Sequence, residues 1–596
     1  MKQRLRSAWL CAIVLAAASF ALGAESDVKM AFTISMDQPS THLYHVVYRC
    51  EGLESGAQDF KMPVWMPGYY GVMDYAKYVQ DFQAVDESGS LLVWEKTADN
   101  VWRVDGGKSK ALTISYDVKA TVSFIVHSYL DEKRGYISPA GVFMHVAGRL
   151  RNPVTVAVKP YEKWSGVATG LDPVPGKPQT FTAPDFDVLY DCPILIGNLE
   201  TLPFEVRGIP HEFVGWNLPA FDRAKFTSEL KRMVEASVAL IGDIPYKKYV
   251  FLAVGPGGGG IEHLNSSALS FSGTEVGTPE GNLRWLSFVA HEYFHLYNVK
   301  SIRPIALGPF DYDRPNRTRL LWISEGMTVY YEYIVLRRAG LMTPEDVFKG
   351  LGSAIAGYEN KPGHLVQSVA QSSYETWEQG PFGGDPDKSI SYYDKGAGLG
   401  LLLDLKIRHE SQGTKSLDDV MRTLYRDFFQ EKKRGFTERE FREICERFAG
   451  VPLDEIFEYA NTVKDIDYAK YLGYAGLEID RPRELDEPAI GATFRDSGGL
   501  PVISRVERNS AADRAGLKSK DIILSAEGDK FDSQSLTAHL NSKKPGETVT
   551  IAYSRDNQKG EAKVVLSKKM YPGFAITRIA NPDPRQAAIY DGWMKN

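Results

Sequence analysis

Two histidines one helical turn apart, with a glutamate beside the first, carry the clearest chemistry in this sequence: His291-Glu292-Tyr293-Phe294-His295. Side chains at i and i+4 of an α-helix lie on one face, so both imidazoles can ligate a single metal ion. Zinc held in this way brings the pKa of a bound water to about 7, and Glu292 is placed to take its proton. Catalysis at zinc also needs a third protein ligand and an open fourth position. Glu325, in Leu321-Trp322-Ile323-Ser324-Glu325-Gly326, is the candidate ligand, because an acidic residue early in an apolar helix requires a partner. Its other reading is a charge that complements the helix dipole. Glu332 and Asn298 are candidates for orienting a ligand from behind, or else locally bonded polar groups.

These residues need helices to hold them. Leu283, Leu286, Ala290 and Phe294 recur at helical spacing and predict a helix with one buried face through the histidines. A second helix is predicted from about residue 321. The strand-like run Tyr249-Val250-Phe251-Leu252-Ala253-Val254 enters a glycine-rich segment, 255–260, which lacks the Gly-Lys-Ser/Thr of a nucleotide loop. Its glycines, Gly259 and Gly260 among them, instead let backbone approach a substrate closely. Asp496-Ser497-Gly498-Gly499 imitates a serine protease motif, but its setting predicts a turn between strands.

The remaining chain divides by pattern. Residues 1–24 have a basic start, an apolar stretch from Ala8 to Leu22 and small residues for cleavage, predicting a signal peptide and an exported, periplasmic or secreted product. No later run approaches a membrane-spanning length, so no stable anchor is expected after cleavage. Beyond the leader only Cys50, Cys192 and Cys445 remain, which excludes a disulfide framework and any Cys-x-x-Cys metal site. A net charge of −6 with mixed signs offers no basic stripe and argues against nucleic acid. Short alternating strands punctuated by Gly, Pro and Asn predict an all-β domain over 25–192. Its Pro63-Val64-Trp65-Met66-Pro67-Gly68-Tyr69-Tyr70 reads as an aromatic corner at the edge of the core rather than a binding site. Residues 193–467 change from strands to helices, the order of a thermolysin-like α+β peptidase. Residues 468–570 look like a PDZ domain, with Ser510 to Leu517, the strand Asp521-Ile522-Ile523-Leu524 and a helix from Ser533 to Asn541 in order. Tyr471-Leu472-Gly473-Tyr474-Ala475-Gly476-Leu477 is expected to form its carboxylate-binding loop, and 571–596 a C-terminal tail. The fold class expected is therefore multidomain α+β, with an all-β domain, a thermolysin-like catalytic domain and a PDZ-like domain.

Taken together, Trp65-Met66-Pro67-Gly68, Gly259-Gly260-Ile261-Glu262-His263, the His291–His295 motif, Trp322-Ile323-Ser324-Glu325-Gly326, Tyr393-Asp394-Lys395-Gly396 and the PDZ-like unit resemble the glycyl aminopeptidase family of zinc metallopeptidases, related to the aminopeptidase N type. The three-ligand constellation of His291, His295 and Glu325 predicts one zinc per chain, and the resemblance implies Glu262 as the carboxylate that receives the substrate's α-amino group and Tyr393 as the phenol that hydrogen-bonds the developing oxyanion, with Tyr392 its neighbouring competitor. The aminopeptidase N type carries Gly-x-Met-Glu-Asn where this chain has Gly260-Ile261-Glu262-His263. The expected activity is hydrolysis of small N-terminal residues such as Gly or Ala from peptides or proteins, with a polypeptide C-terminus as candidate ligand of the PDZ-like unit. Two rival readings are a zinc endopeptidase that uses that unit to engage protein tails, and a non-catalytic peptide-binding protein. Glu292 argues against the latter, since a retired site has no need of a general base.

Overall fold

The computed structural model describes residues 28–380 and 382–595, so the leader expected over 1–24 lies outside the described residues. Strand alternation builds the N-terminal domain. In Lys29–Ser35, Leu43–Glu51 and Ala111–Lys119, every second side chain is buried. Antiparallel register sets Phe32 opposite Tyr48 and Tyr48 opposite Ile114, so the inward residues of three strands form one apolar face. Phe32 and Tyr48 stack at 4.0 Å. These strands centre a seven-stranded sheet, and two four-stranded sheets complete the domain.

The catalytic domain opens with a five-stranded sheet over Leu199–Ser270. Ile209–Trp216, Tyr249–Gly255 and Ser266–Ser270 run parallel, and the helix Arg223–Ile241 supplies the crossover between the first two. Gly260–Glu262 pairs only with Ser266–Ser270 and is an edge strand of this sheet. The metal-motif helix, Pro279–Phe294, follows. Thr278 caps it by accepting from Gly281 N, Pro279 sits in its first turn, and Glu280 complements its dipole. Its buried face holds Leu286, Ala290 and Phe294 as the periodicity predicts, whereas Leu283 lines the cleft. A π turn, Trp322–Gly326, leads into the helix Met327–Arg338. The helices Pro344–Glu359 and Tyr392–Glu410 complete the walls around the site.

The two domains meet through aromatic rings. Trp65 is 1% exposed, packs against Phe310, Tyr312 and Trp377, and donates its indole N–H to the Asp311 carbonyl at 2.8 Å. The corner expected around Trp65 is thus an interdomain joint.

The C-terminal part departs from the sequence expectation in two ways. Residues 471–477 do not form a PDZ loop. Tyr468–Gly473 is a helix that buries Tyr468, Tyr471 and Leu472 beside the helix Tyr392–Glu410. Residues 571–596 are also more than a tail. Ile576–Arg578 pairs with Leu477–Ile479, and the helix Pro584–Met594 docks onto the catalytic domain. There Trp593 is fully buried, stacks on Phe348 and donates to the Tyr330 hydroxyl at 2.8 Å. The PDZ body has its own core, Ile490 to Leu566, and is therefore an insertion. It stands on a two-stranded stalk made of Arg483–Ala489 and Ser567–Tyr571. Gly498 and Gly499 turn the hairpin between Ala492–Ser497 and Leu500–Val506, as the sequence predicts. Arg508 of the PDZ body ion-pairs with Asp387, in the loop leading to Tyr393. Cys50, Cys192 and Cys445 are each buried and unpaired. Among the described residues, no helix is long and apolar enough to cross a membrane.

Candidate active site

His291, His295 and Glu325 converge. The two Nε2 atoms lie 3.0 Å apart, and Glu325 Oε2 is 3.1 Å from His295 Nε2 and 3.7 Å from His291 Nε2. Their partners fix the tautomers. His295 Nδ1 donates to the Asn298 carbonyl at 2.7 Å, and His291 Nδ1 faces Glu332 Oε2 at 3.0 Å. Each Nδ1 therefore carries the proton, which leaves both Nε2 lone pairs and a carboxylate oxygen aimed at one point. Lone pairs this close repel unless a cation lies between them. The set fits zinc with one coordination position left open.

The field around the site agrees. Burial opposes charge on both imidazoles, yet Glu325, with Glu332 at His291, more than reverses it and raises their pKa values. Burial would likewise raise Glu325, but the two histidines hold its carboxyl well below the usual range. The pocket is electrostatically prepared for positive charge.

Several groups hold the ligands in place. Glu332 takes a second bond from Ser287 at 2.8 Å. Asn298 orients His295 with its carbonyl, and its side-chain amide donates to the carbonyls of Ile323 and Ser324, pinning the π turn that carries Glu325. Both readings left open for Asn298 and Glu332 thus resolve in favour of orientation. Tyr70, from the N-terminal domain, donates to Glu325 Oε1 at 2.9 Å and so leaves Oε2 to the metal position. Sequence reasoning missed this contact. Gly326 and Gly396 let the π turn and the helix Tyr392–Glu410 touch, since a Cβ on Gly326 would sit 2.4 Å from the Gly396 Cα.

Glu292 is buried in the same cleft. Burial, reinforced by Glu262 and opposed by His291 and His295, lifts its carboxyl to about 7. The edge strand passes directly over it, for a Cβ on Gly260 would lie 2.7 Å from the Glu292 carboxyl carbon. Glu262 is only 4% exposed, and its Oε1 has no hydrogen-bond partner. Gly68, at φ +97°, leans against it, and a Cβ there would approach Oε2 to 2.8 Å. Tyr393 lines the cleft with its ring 6.1 Å from His291, and Phe382 stacks over it. Tyr392 stacks on Tyr393 at 4.7 Å, and its hydroxyl lies 3.3 Å from the Thr376 Oγ1. Burial and then the Glu325 charge keep the Tyr393 phenol protonated. The cleft, about 1290 Å³, also includes Gly259, Gly260 and Tyr69 and continues along the metal-motif helix past Arg284.

Three family models match: the peptidase M61 N-terminal domain over residues 31–198, the M61 glycyl aminopeptidase over 284–399, and a PDZ domain over 488–566. Both its N-terminal region and its metal-binding region thus match the M61 glycyl aminopeptidase family. A solved structure of an aminopeptidase N family protein from Idiomarina loihiensis is 25% identical to this chain, aligning 95% of it and 100% of the other at a TM-score of 0.85. The M1 zinc metallopeptidase of Deinococcus radiodurans is more remote, at 13% identity over 74% of this chain and 94% of that one, with a TM-score of 0.46. Yeast LTA4 hydrolase in complex with bestatin is as remote, at 14% identity, 75% and 67% coverage and a TM-score of 0.46. No curated protein matches the chain in sequence. The protein is a metallopeptidase, and the whole metal-binding set just described, both histidines and Glu325, lies inside the M61 glycyl aminopeptidase match.

Proposed function

We propose that this protein is an exported, zinc-dependent aminopeptidase, with one zinc per chain, that removes small N-terminal residues such as Gly or Ala from peptides. The observation that carries the reading is Glu262, a buried carboxylate with an unpaired oxygen in the same cleft as the metal set. Such a group is costly unless a cation meets it, and the cation every unblocked peptide brings is its α-ammonium. The neighbouring edge strand offers backbone to an extended substrate, which would add to the sheet as a further strand. Gly68 presses close to Glu262, and Tyr69 packs edge to face on Phe124 at 5.8 Å in the cleft wall. This crowding supports a small first residue.

Zinc, when bound, supplies Lewis-acid polarisation and makes water a usable nucleophile at neutral pH. Glu292, beside the metal set, accepts the proton from the attacking water and returns it to the leaving amine. Tyr393 donates its hydroxyl to the carbonyl oxygen as negative charge develops there. The leader-like residues 1–24 support export.

The test is hydrolysis of a panel of chromogenic aminoacyl amides beside their N-acetylated forms and a denatured protein. Cleavage confined to free amino termini, fastest for Gly and Ala, is expected. Equal cleavage of blocked and free peptides would replace the aminopeptidase with an endopeptidase.

A further inference from the structure

Beside the start of the glycine-rich loop, at Val254, Pro256 and Gly257, lies a second feature that peptide hydrolysis does not use. Arg134, at the start of the strand Arg134–Ile137, is 7% exposed, and its Nε has no partner. Its guanidinium carbon lies 5.1 Å from the Tyr129 ring centroid and 5.3 Å from that of Trp216, so aromatic faces cover it. Lys133 adds a second cation at the Trp216 ring, 6.0 Å away. The nearby carboxylate, Asp131, is already committed. Its Oδ1 accepts from the backbone N–H groups of Lys133 and Arg134, and its Oδ2 accepts from the Tyr129 hydroxyl. Among the described residues, no carboxylate reaches the Arg134 side chain to form an ion pair.

Arg134 lines a recess of about 20 Å³ whose other polar walls are Ser123, Ser270, Tyr129 and Tyr136, and whose remaining wall is apolar, Phe124, Ile125, Val254 and Pro256 among it. That volume holds one atom-sized guest. The loop is moulded around the cation as well. Gly255, at φ +111°, brings its backbone so close that a Cβ would sit 2.6 Å from an Arg134 Nη. Asp131 attracts Arg134 but accepts no hydrogen bond from its guanidinium, and a buried guanidinium with unmet donors is unfavourable even where ring faces offset part of the lost hydration. We infer that this recess is a binding site for a single monatomic anion of the halide class, held by Arg134 with the hydroxyls of Ser123 and Ser270 beside it. The bound ion braces the loop that becomes the edge strand carrying Glu262.

Bromide in place of chloride makes the site visible. Crystals of the full chain grown or soaked in sodium bromide should show an anomalous peak within hydrogen-bond reach of the Arg134 guanidinium. In solution, sodium chloride should raise the thermal midpoint by about 2–4 °C over sodium gluconate at equal ionic strength, and Arg134→Gln should abolish that difference. Bromide found only elsewhere on the molecule, or an equal chloride response in Arg134→Gln, would overturn the inference. If Arg134→Gln does not fold, the bromide map and the chloride-versus-gluconate comparison on the native chain still decide. Neither readout depends on peptide hydrolysis, so the site stands or falls apart from the aminopeptidase reading.

Discussion

The two ends of the reaction site are built on opposite principles. At the metal end every ligand is held from behind: His291 by Glu332, His295 by the Asn298 carbonyl, Glu325 by Tyr70. At the end proposed above to receive the amine, Glu262 keeps a buried oxygen with no hydrogen-bond partner. The first arrangement spends stability on geometry that exists before substrate arrives. The second leaves an unmet acceptor that, on the proposed reading, the substrate's ammonium fills, so that binding energy appears only when a free ammonium is present.

Substitutions can break this contrast, and the largest effect is expected between the two ends. Glu292→Gln should lower turnover by about 10²–10⁴-fold while metal analysis finds the zinc content unchanged. Normal turnover would remove Glu292 as the base. Glu262→Ala should next cost about 2–5 kcal/mol in kcat/KM on free-amine substrates, because the partner of a desolvated ammonium is lost. Glu262→Gln should also unfold at a higher temperature than the native protein, since it discharges an unpaired buried carboxylate. A lower midpoint would show that Glu262 is satisfied without substrate. At the metal end the sign reverses. Glu332→Ala should weaken zinc by about 10–100-fold in chelator competition, and unchanged affinity would mean that the His291 ring needs no brace. Tyr70→Phe should have the smallest effect, up to about tenfold in zinc affinity with packing intact. Its value lies in location, because it asks whether the N-terminal domain tunes a metal held by the other domain.

The same contrast explains what could be read from sequence. His291, Glu292 and His295 are legible because helix geometry converts a spacing of four into a shared face, and Glu325 because an acid in an apolar run must be employed. Tyr70 reaches Glu325 across 255 residues of chain, and nothing local separates it from the many aromatic residues that merely pack. Tyr471 and Leu472 were misplaced for a related reason. Tyr-Leu-Gly before a strand imitates a PDZ loop, but the decisive fact is burial against a helix some sixty residues earlier. The helix Pro584–Met594 was invisible as a docked element, because its anchor, Trp593, finds its pocket between Tyr330 and Phe348 only in three dimensions.

Because the chain returns to the catalytic body after the PDZ unit, that unit is a cassette. Ile479 and Ile576 face each other across an antiparallel ladder, about 5 Å apart at their Cα atoms. A short turn joining them would excise the stalk and the PDZ core together and leave the Trp593 helix seated. Truncation from the C-terminus cannot do this, since it strips the catalytic domain of that helix before it reaches the PDZ unit. The same geometry makes the position a natural port where one recognition module can be exchanged for another without reworking the enzyme beneath it.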